Sequence, residues 1–507
     1  MTTRSQNAAR NSIIGFFAAV ISILASFGSR LLFAHYLDVV YLGYNGLFTS
    51  IVSVLSIAEL GISSAITYRL YKPIAEDDRG TVHTLVTIYK KFYFYIAMFM
   101  VIAGVFVSSF IQIFIKEGVK NLPQLRILFL LFLANTVVSY FFAHKRSLLF
   151  ALQSNRTIQI VDSVCKLLAL VTQWFVLIRT HSFEAFLIIN VIYSLLSGLL
   201  ISFECDKRYN VGRIRITEPT DKDLKNNIFS DIKNVFLIKI SGVAVQSGDS
   251  LIISSVISNL LAGLYSNYQL VITSVNTLAL AVIEGAIAPL GDLLNNERRD
   301  ASYAVIKTFC FITSVIAVFC SVEMITLLPK FIRLAFGSSF LIDSTTMVLA
   351  VVAFFIHFNR EPLYQLINLT GSFHYYSKLA ITEAILNVIL SLALAVHYGI
   401  TGVIAATVIC RIYGMTLQLY ICYHRIIDTE FKTWYPKNLL TCFLLMAVLS
   451  FACNYLLEVI HTPDSILFWI VDALIVAAVT ILAMILILQH NPEFKNLKDY
   501  IRKLIIH

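Results

Sequence analysis

Long apolar stretches separated by short polar breaks recur along the whole chain of 507 residues. A run of about 20 apolar residues is long enough to cross a hydrocarbon core of about 30 Å as a helix. The pattern predicts fourteen such spans, near residues 12–36, 41–70, 86–115, 124–150, 157–179, 182–203, 231–257, 262–293, 302–328, 341–370, 376–397, 400–423, 437–460 and 465–488. We therefore expect an all-α polytopic membrane protein with about 14 transmembrane helices.

Composition supports this interpretation and excludes a water-soluble protein. Hydrophobic residues make up 58% of the chain and charged residues 14%, whereas a soluble domain carries about 25% charged residues. The net charge of +9 would be compatible with nucleic-acid binding, but basic residues in a membrane protein first report its topology.

Lysine and arginine are unequally distributed between the two sets of alternate loops. We count 28 on the side of the termini. The other side has six, namely Lys116, Lys120, Arg126, Arg179, Lys330 and Arg333. Because cytoplasmic loops carry the basic excess, we expect a multi-pass protein of the bacterial cytoplasmic membrane with both termini in the cytoplasm. Topology then accounts for the positive charge, and we expect no nucleic-acid partner.

The longest polar break, residues 204–230, divides the chain into predicted domains. They are an N-terminal lobe (1–203, spans 1–6), a cytoplasmic linker (204–230), a C-terminal lobe (231–424, spans 7–12) and a segment (425–507) with two extra helices and a cytoplasmic tail. At an offset of about 220 residues Gly28 aligns with Gly248 and Gly43 with Gly263. This predicts two six-helix lobes as parallel repeats around a central cavity, although chance alignment of apolar helices stays an alternative.

Charged residues inside the spans are the candidates for function, since each costs at least about 2.5–3.5 kcal/mol at a helix centre. The cations are Arg30, Lys166, Lys239, Arg360 and Arg411, and the acids include Glu59, Asp249, Glu284, Glu361 and Glu383. For any one of them, a buried ion pair or interfacial snorkelling is the alternative. We favour that alternative for Asp162, Asp292 and Glu323, which lie near span ends.

Arg30 and Asp249 lie at similar depth in the first span of each predicted lobe, beside Gly28 and Gly248. Glycine lets backbones bend or approach closely. We therefore predict an outward gate in which Arg30 and Asp249 close as an ion pair.

A second group is predicted in the cytoplasmic half of spans 10 and 11, where Pro362 should kink the helix beside Arg360. The predicted substrate-binding residues are Arg30, Lys166, Asp249 and Arg360, and the predicted gate or hinge residues are Gly28, Gly248, Pro362, Glu361 and Glu383. Arg411 and Lys239 could add positive charge to the same cavity.

Several arginines and lysines in a cavity match an anionic head group, because arginine offers a planar fork to phosphate. Exporting negative charge across an inside-negative membrane is favourable by about 2.3 kcal/mol per charge per 100 mV. His and Cys lack ligand spacing and no P-loop is present. We expect no metal, no cofactor and no ATP hydrolysis, while coupling to the membrane potential, H⁺ or Na⁺ stays open.

Four short strings carry a family resemblance: RSQNAARNS (4–12), YLGYNGLF (41–48), AELG (58–61) and YKPIAEDD (71–78). They resemble the Wzx-type polysaccharide flippases of the multidrug/oligosaccharidyl-lipid/polysaccharide (MOP) superfamily. The resemblance implies a flippase, not an enzyme, that moves undecaprenyl-diphosphate-linked oligosaccharide repeats of O-antigen lipopolysaccharide, capsule or exopolysaccharide by alternating access. Its partners would be that lipid-linked cargo, membrane lipids and other polysaccharide-assembly proteins.

Two other functions stay open on the sequence. A drug or cation antiporter of the same superfamily would use the acidic residues of the cavity. A membrane-embedded glycan transferase or polymerase is less favoured, because the external loops are short and such enzymes place their active sites on sizeable loops. The resemblance assigns no binding residue, so the predicted sites rest on the position of the charges.

Overall fold

The computed structural model describes residues 4–37, 39–59, 70, 73–74, 76–115, 122–152, 154–209, 242, 247–296, 299–369, 373–425, 429–489 and 491–494. These residues form helices, and no strand occurs among them. Nine of the described helices are long and apolar enough to cross a membrane, and Val20–Tyr36, Val40–Leu55 and Ser247–Ile257 are shorter apolar helices. The predicted all-α polytopic membrane protein is confirmed.

The chain divides into two compact units, Met1–Ser266 and Asn267–His507. The first contains α1 (Arg4–Tyr36), α2 (Val39–Leu55), α3 (Arg79–Phe110), α4 (Leu122–Ala151), α5 (Asn155–Thr180), α6 (Phe183–Tyr209), α7 (Ser247–Ile257) and the start of α8 (Asn259–Asn296). The second contains the rest of α8, then α9 (Arg299–Phe336), α10 (Ser344–Leu369), α11 (Phe373–Arg425), α12 (Thr429–Ile460) and α13 (Ile466–Leu488). The predicted domain boundaries stay a prediction, and residues 210–230 of the predicted linker lie outside the described residues.

Local signals in the sequence explain where several helices begin and end. The Asp78 carboxylate accepts a hydrogen bond from the backbone N–H of Thr81 at 3.0 Å and so caps the start of α3. Ser465 does the same for α13 through the N–H of Phe468. At the end of α5, His181 adopts a left-handed conformation with φ 47°, which stops the helix.

The second predicted span is shorter as an α-helix than the apolar run that predicts it. Helix α2 ends at Leu55 and continues as a 3₁₀ turn, Ser56–Glu59. Glu59 there accepts a hydrogen bond from Tyr93 of α3 at 3.2 Å. The 3₁₀ turn therefore carries a polar contact to another helix, although the hydropathy of residues 41–70 predicts one continuous helix.

Two predicted spans, 376–397 and 400–423, form the two arms of α11. Gly399 (φ 58°, ψ −140°) breaks the helix between them, a conformation that glycine adopts at low cost. The arms lie side by side, since the Asn387 amide donates to Thr407 at 3.1 Å. A Cβ added at Gly402 would lie 2.3 Å from the Leu394 carbonyl oxygen, so the close packing of the arms requires glycine there as well.

Burial separates central from peripheral helices in the second unit. In α10, 72% of the most apolar window is buried, compared with 22% in α13. The buried residues of α13 are Asp472, Val476, Thr480, Met484 and Leu488, spaced four apart on one face. Helix α13 is thus a peripheral, lipid-compatible helix attached along one stripe, whereas α10 forms much of the unit's interior.

Candidate functional site

A buried ion pair joins α10 to both arms of α11. Arg360 Nη1 and Nη2 donate to Glu383 Oε1 and Oε2 at 2.6 and 2.7 Å, and Arg360 Nε donates to Gln418 Oε1 at 3.1 Å. Both charged residues are 7% exposed. We call Arg360, Glu383 and Gln418 the clamp, because together they tie three helical segments to one another.

Glycine makes room for the clamp. A Cβ added at Gly414 would lie 2.3 Å from Glu383 Oε2 and 2.7 Å from Arg360 Nη2. Real Cβ atoms do not approach polar atoms this closely, so a side chain at this position would have to displace the ion pair. Gly414 is therefore a residue that the sequence prediction missed and that the pairing geometry requires.

Arg360 was predicted to bind cargo, and the clamp limits how it could do so. Its guanidinium donates to the Glu383 carboxylate through Nη1 and Nη2 and to the Gln418 amide oxygen through Nε. A phosphate group could reach those nitrogens after Glu383 had moved away. In this arrangement Glu383 balances the charge of Arg360, and direct contact of Arg360 with cargo stays a prediction.

Next to the clamp, one residue of α10 is open to the surroundings. Of the described residues 346–367, His357 is the one exposed residue in a helix that is otherwise buried or half-buried. A polar imidazole facing hydrocarbon is unfavourable, so an exposed histidine in a central membrane helix indicates a water-accessible surface. Arg411 and Arg360 are the charged groups that act on His357 electrostatically.

Arg411 comes from the second arm of α11 and lies half-buried against α10. Its Nη1 donates to the Ala353 carbonyl oxygen at 2.6 Å. Ala353 is one turn before His357, so this hydrogen bond holds the second arginine on the same part of α10. We call the surface formed by Arg411 and His357, with the Arg360–Glu383 pair behind it, the cationic face of the second unit.

The other residues predicted on α10 have local partners. Glu361 accepts a hydrogen bond from Gln365 at 2.6 Å. Pro362 lies inside α10 and the Tyr435 hydroxyl donates to the Asn359 carbonyl at 2.5 Å, so α12 supports the helix beside the proline. Whether Pro362 acts as a hinge stays a prediction.

In the first unit, Arg30 of α1 donates a hydrogen bond to Ser266 of α8. Asp249 of α7 is 6% exposed. A Cβ added at Gly28 would lie 3.1 Å from the Leu170 side chain. At Gly248, no atom lies within 4 Å of an added Cβ. The predicted Arg30–Asp249 gate stays a prediction. A side chain at Gly28 would require the Leu170 side chain to shift.

Lys166 is exposed on α5, and Asp162 lies one turn before it. Asp162 itself pairs with Arg146 of α4, with oxygen–nitrogen distances of 2.7 and 2.8 Å, and with Ser197 of α6. This confirms the interpretation of Asp162 as a member of an ion pair.

Two other predicted charges, Lys239 and the Glu284 side chain, lie outside the described residues.

One membrane-embedded pair was missed by sequence reasoning. Lys330 of α9 contacts Asp472 of α13 at 2.8 Å, and Thr462 donates to the same carboxylate oxygen at 2.9 Å. The available signal was an isolated acid in the most apolar of the described spans. The pair attaches the peripheral helix α13 to α9.

A metal site would need several ligating side chains close together in the part of the chain that the structure describes. There, no group of three or more His, Cys, Asp or Glu side chains could hold a metal ion.

Comparison with known proteins places the fold. No family model and no curated protein matches the chain. Among solved structures, the lipid II flippase MurJ in an inward closed conformation matches with a TM-score of 0.68 at 16% identity, over 95% of this chain and 99% of that chain. An inward-facing multidrug-resistance MATE family transporter of the MOP superfamily matches with a TM-score of 0.62 at 13% identity, over 85% and 98%.

A third structure, the MATE transporter VcmN of Vibrio cholerae, matches with a TM-score of 0.58 at 12% identity, over 83% of this chain and 98% of that chain. At such identities the similarity establishes the fold alone. The protein is a multi-pass membrane protein with the fold of MOP-superfamily transporters.

Proposed function

We propose that the protein is a flippase that moves undecaprenyl-diphosphate-linked oligosaccharide repeats outward across the bacterial cytoplasmic membrane by alternating access, for surface polysaccharide biosynthesis. Both termini would be cytoplasmic, as the distribution of lysine and arginine predicts. The fold is that of transporters and flippases, so we propose transport and not catalysis.

The observation that carries the proposal is the cationic face on α10 and α11. Arg360 is paired with Glu383, so Arg411 provides the positive charge of this face, and the exposed His357 on which Arg411 acts adds a hydrogen-bonding group. Such a surface attracts a diphosphate and repels a cationic drug. We propose that Arg411 and His357 contact the diphosphate and that Arg360 joins them when Glu383 moves away. Binding of cargo by Lys166 of α5 stays a prediction.

The proposal is tested by replacing the cationic face in a strain whose own gene is deleted. We expect Arg411→Gln together with His357→Gln to abolish surface polysaccharide and to leave lipid-linked oligosaccharide in the cytoplasmic leaflet. The matched control is Arg179→Gln, which removes an exposed arginine at the end of α5. Both variants must be present in the membrane at wild-type amounts.

Normal surface glycan in the deletion strain, with no redundant exporter, would overturn the flippase. If the deletion instead changed drug tolerance, the antiporter would replace it. If the deletion abolished surface glycan but the double variant restored it fully, the flippase would stand and the assignment of its diphosphate site would be wrong.

A further inference from the structure

Helices α9, α12 and α13 pack together in the second unit and enclose polar groups. Among the described residues, five buried polar atoms of these helices have no hydrogen-bond partner, namely Ser321 Oγ, Glu323 Oε1, Ser450 Oγ, Asp472 Oδ1 and Thr480 Oγ1. Ser321 precedes Glu323 by two residues and so projects from the opposite side of α9. The other four belong to the surfaces on which the three helices meet.

Two of these groups are hydroxyls that are almost fully enclosed. Thr480 is 0% exposed and Ser450 is 5% exposed. A buried hydroxyl in a helix commonly donates to the carbonyl one turn before it, as Thr313 of α9 does to Phe309 at 2.9 Å. Thr480 and Ser450 make no such bond in the described structure. An enclosed hydroxyl without a partner is costly, which indicates that these two are placed for a ligand.

Glu323 is the ionisable group at the same depth. The predicted span 302–328 places it near a span end, but the observed span Ile306–Phe336 places it near the middle. Its Oε1 is buried, and in the described part of the chain no basic side chain pairs with it. The Cys453 thiol of α12 lies close enough to Glu323 and to Thr480 of α13 to interact with both. The three helices therefore meet at this carboxyl group.

A row of polar groups leads from Glu323 to one end of α9. Lys330 lies two turns further along the same face of α9 and pairs with Asp472 at 2.8 Å. Next to it, Arg333 pairs with Asp464 at 3.2 Å, and these two side chains are 46% and 53% exposed. The predicted topology puts this end of α9 on the outer side of the membrane. The row thus connects the middle of the span with the outer surface.

The surroundings of Glu323 favour its uncharged form. The titratable and charged side chains on the surfaces that face it are Cys320 and Lys330 of α9, Cys453 of α12 and Asp472 of α13. Helix α10 also packs against α9, and its residues 344–356 include no titratable side chain. Lys330 is already paired with Asp472. An ionised Glu323 would be a second negative charge sharing one lysine, and a carboxyl group in that position binds a proton instead.

We propose that Glu323 is a proton-binding site inside the membrane, and that its proton exchanges with the outer side along the row that contains Lys330 and Asp472. One proton adds to a carboxylate oxygen of Glu323 and leaves by the same route. The Thr480 and Ser450 hydroxyls hydrogen-bond the carboxyl group. The site lies on α9, α12 and α13, whereas the cationic face lies on α10 and α11, so the proposal holds whatever the protein carries.

The proton also affects how the peripheral helix α13 is attached. While Glu323 is protonated, Lys330 is available to Asp472 alone. When Glu323 loses its proton, two carboxylates compete for the same ammonium group. Loss of the proton therefore weakens the attachment of α13 to α9, and the pH of the outer side acts on that attachment.

The decisive experiment is labelling with dicyclohexylcarbodiimide, which enters membranes and reacts with protonated carboxyl groups but not with carboxylates. In full-length wild-type protein in right-side-out vesicles, we expect mass spectrometry to find the label on Glu323 at neutral pH. Raising the outer pH should reduce this labelling, by about tenfold per pH unit once most of the group is ionised. Raising the inner pH alone should leave it unchanged.

Asp472 is the matched control within the same three helices. It is 0% exposed and is paired with Lys330, so it should stay unlabelled in the wild-type protein. In Lys330→Met it loses its only printed cation and should take up a proton, so that the reagent labels it. This variant shows that the reagent reaches the interior of α9, α12 and α13.

Three results would overturn the proposal. The first is a Glu323 that stays unlabelled although Asp472 is labelled in Lys330→Met. The second is labelling of Glu323 that ignores the outer pH or follows the inner pH. The third is protection of Glu323 by sodium chloride but not by potassium chloride at constant pH, which would make the ligand a sodium ion. None of these measurements needs the cargo, so failure of the proposed transport function would leave them interpretable.

A second measurement follows the attachment of α13. Glu323→Gln keeps the size of the side chain and imitates its protonated form. Above the pH at which the wild-type protein loses its label, amide hydrogens around Asp472 should lose hydrogen-exchange protection in the wild type but not in Glu323→Gln. At neutral pH the two proteins should be protected equally. Equal protection at both pH values would show that Glu323 does not act on α13.

Discussion

Two arginine–carboxylate pairs, one in each compact unit, share a geometry and differ in their surroundings. Arg146 and Asp162 in the first unit form two hydrogen bonds of 2.7 and 2.8 Å, and both side chains are 29% exposed. Arg360 and Glu383 in the second unit form two of 2.6 and 2.7 Å, with both side chains 9% exposed. Hydrogen bonds of equal length thus coexist with very different exposure of the two pairs.

The difference indicates what each pair contributes. A charge that loses its partner at the Arg146 site can be solvated, so the pair mainly joins α4, α5 and α6 with modest net stabilisation. A charge that loses its partner inside the clamp stays buried. The clamp therefore fixes the arrangement of α10 and α11 more strongly than its two hydrogen bonds alone would suggest.

The largest expected effect comes from breaking the buried pair. Glu383→Ala should lower the free energy of unfolding by about 3–5 kcal/mol, because Arg360 is left charged and unpaired in the interior. Asp162→Ala, the matched change in the more exposed pair, should cost about 1 kcal/mol or less, because solvent screens the charge that is left. Thermal unfolding of both variants in one detergent measures the difference, and equal losses would contradict the comparison.

A smaller effect should follow from overfilling the clamp without removing a charge. Gly414→Ala places a methyl group against the Glu383 carboxylate and should cost about 1–3 kcal/mol. Gly248→Ala is the control, since nothing lies within 4 Å of an added Cβ and a helical alanine is favoured over glycine by up to about 1 kcal/mol. If both substitutions had the same effect on thermal unfolding, the clamp would be looser than its geometry implies.

The smallest effect is expected at a fully exposed acid. The side-chain and backbone hydrogen bonds from Thr81 lower the pKa of Asp78 below its ordinary value. The cap is therefore fully present above that ordinary value and is lost as the pH falls through the lowered pKa. Asp78→Ala should reduce hydrogen-exchange protection in the first turn of α3 at neutral pH, and Asp78→Asn should retain most of it. Unchanged protection in the alanine variant would rule out the cap.

The sequence was most informative about the spans. Each apolar run was long enough to predict a helix, and the positive φ of Gly399 lies between two separately predicted spans. Hydropathy was less informative inside α2, where the 3₁₀ turn at Ser56–Glu59 depends on tyrosine partners from other helices.

Pairing of charges was only partly predictable. Arg360 and Glu383 stand out as charges in apolar runs, but their contact depends on how α10 and α11 are rotated about their axes, which hydropathy does not encode. Lys330 was assigned to a loop and Asp472 escaped notice, although the two lie 2.8 Å apart. The close contact of Gly43 in α2 with Gly263 in α8 depends on where the two helices cross, and the sequence indicated it only through the alignment of these two glycines.

The break at Gly399 has a consequence for biosynthesis. With a single non-helical residue between the two arms of α11, no loop exists for a translocating machine to thread separately. The arms would enter the bilayer together as a helical hairpin, with Glu383 on one arm and Arg411 on the other. An epitope tag inserted at Gly399 should therefore interfere with membrane integration itself and not merely report on topology.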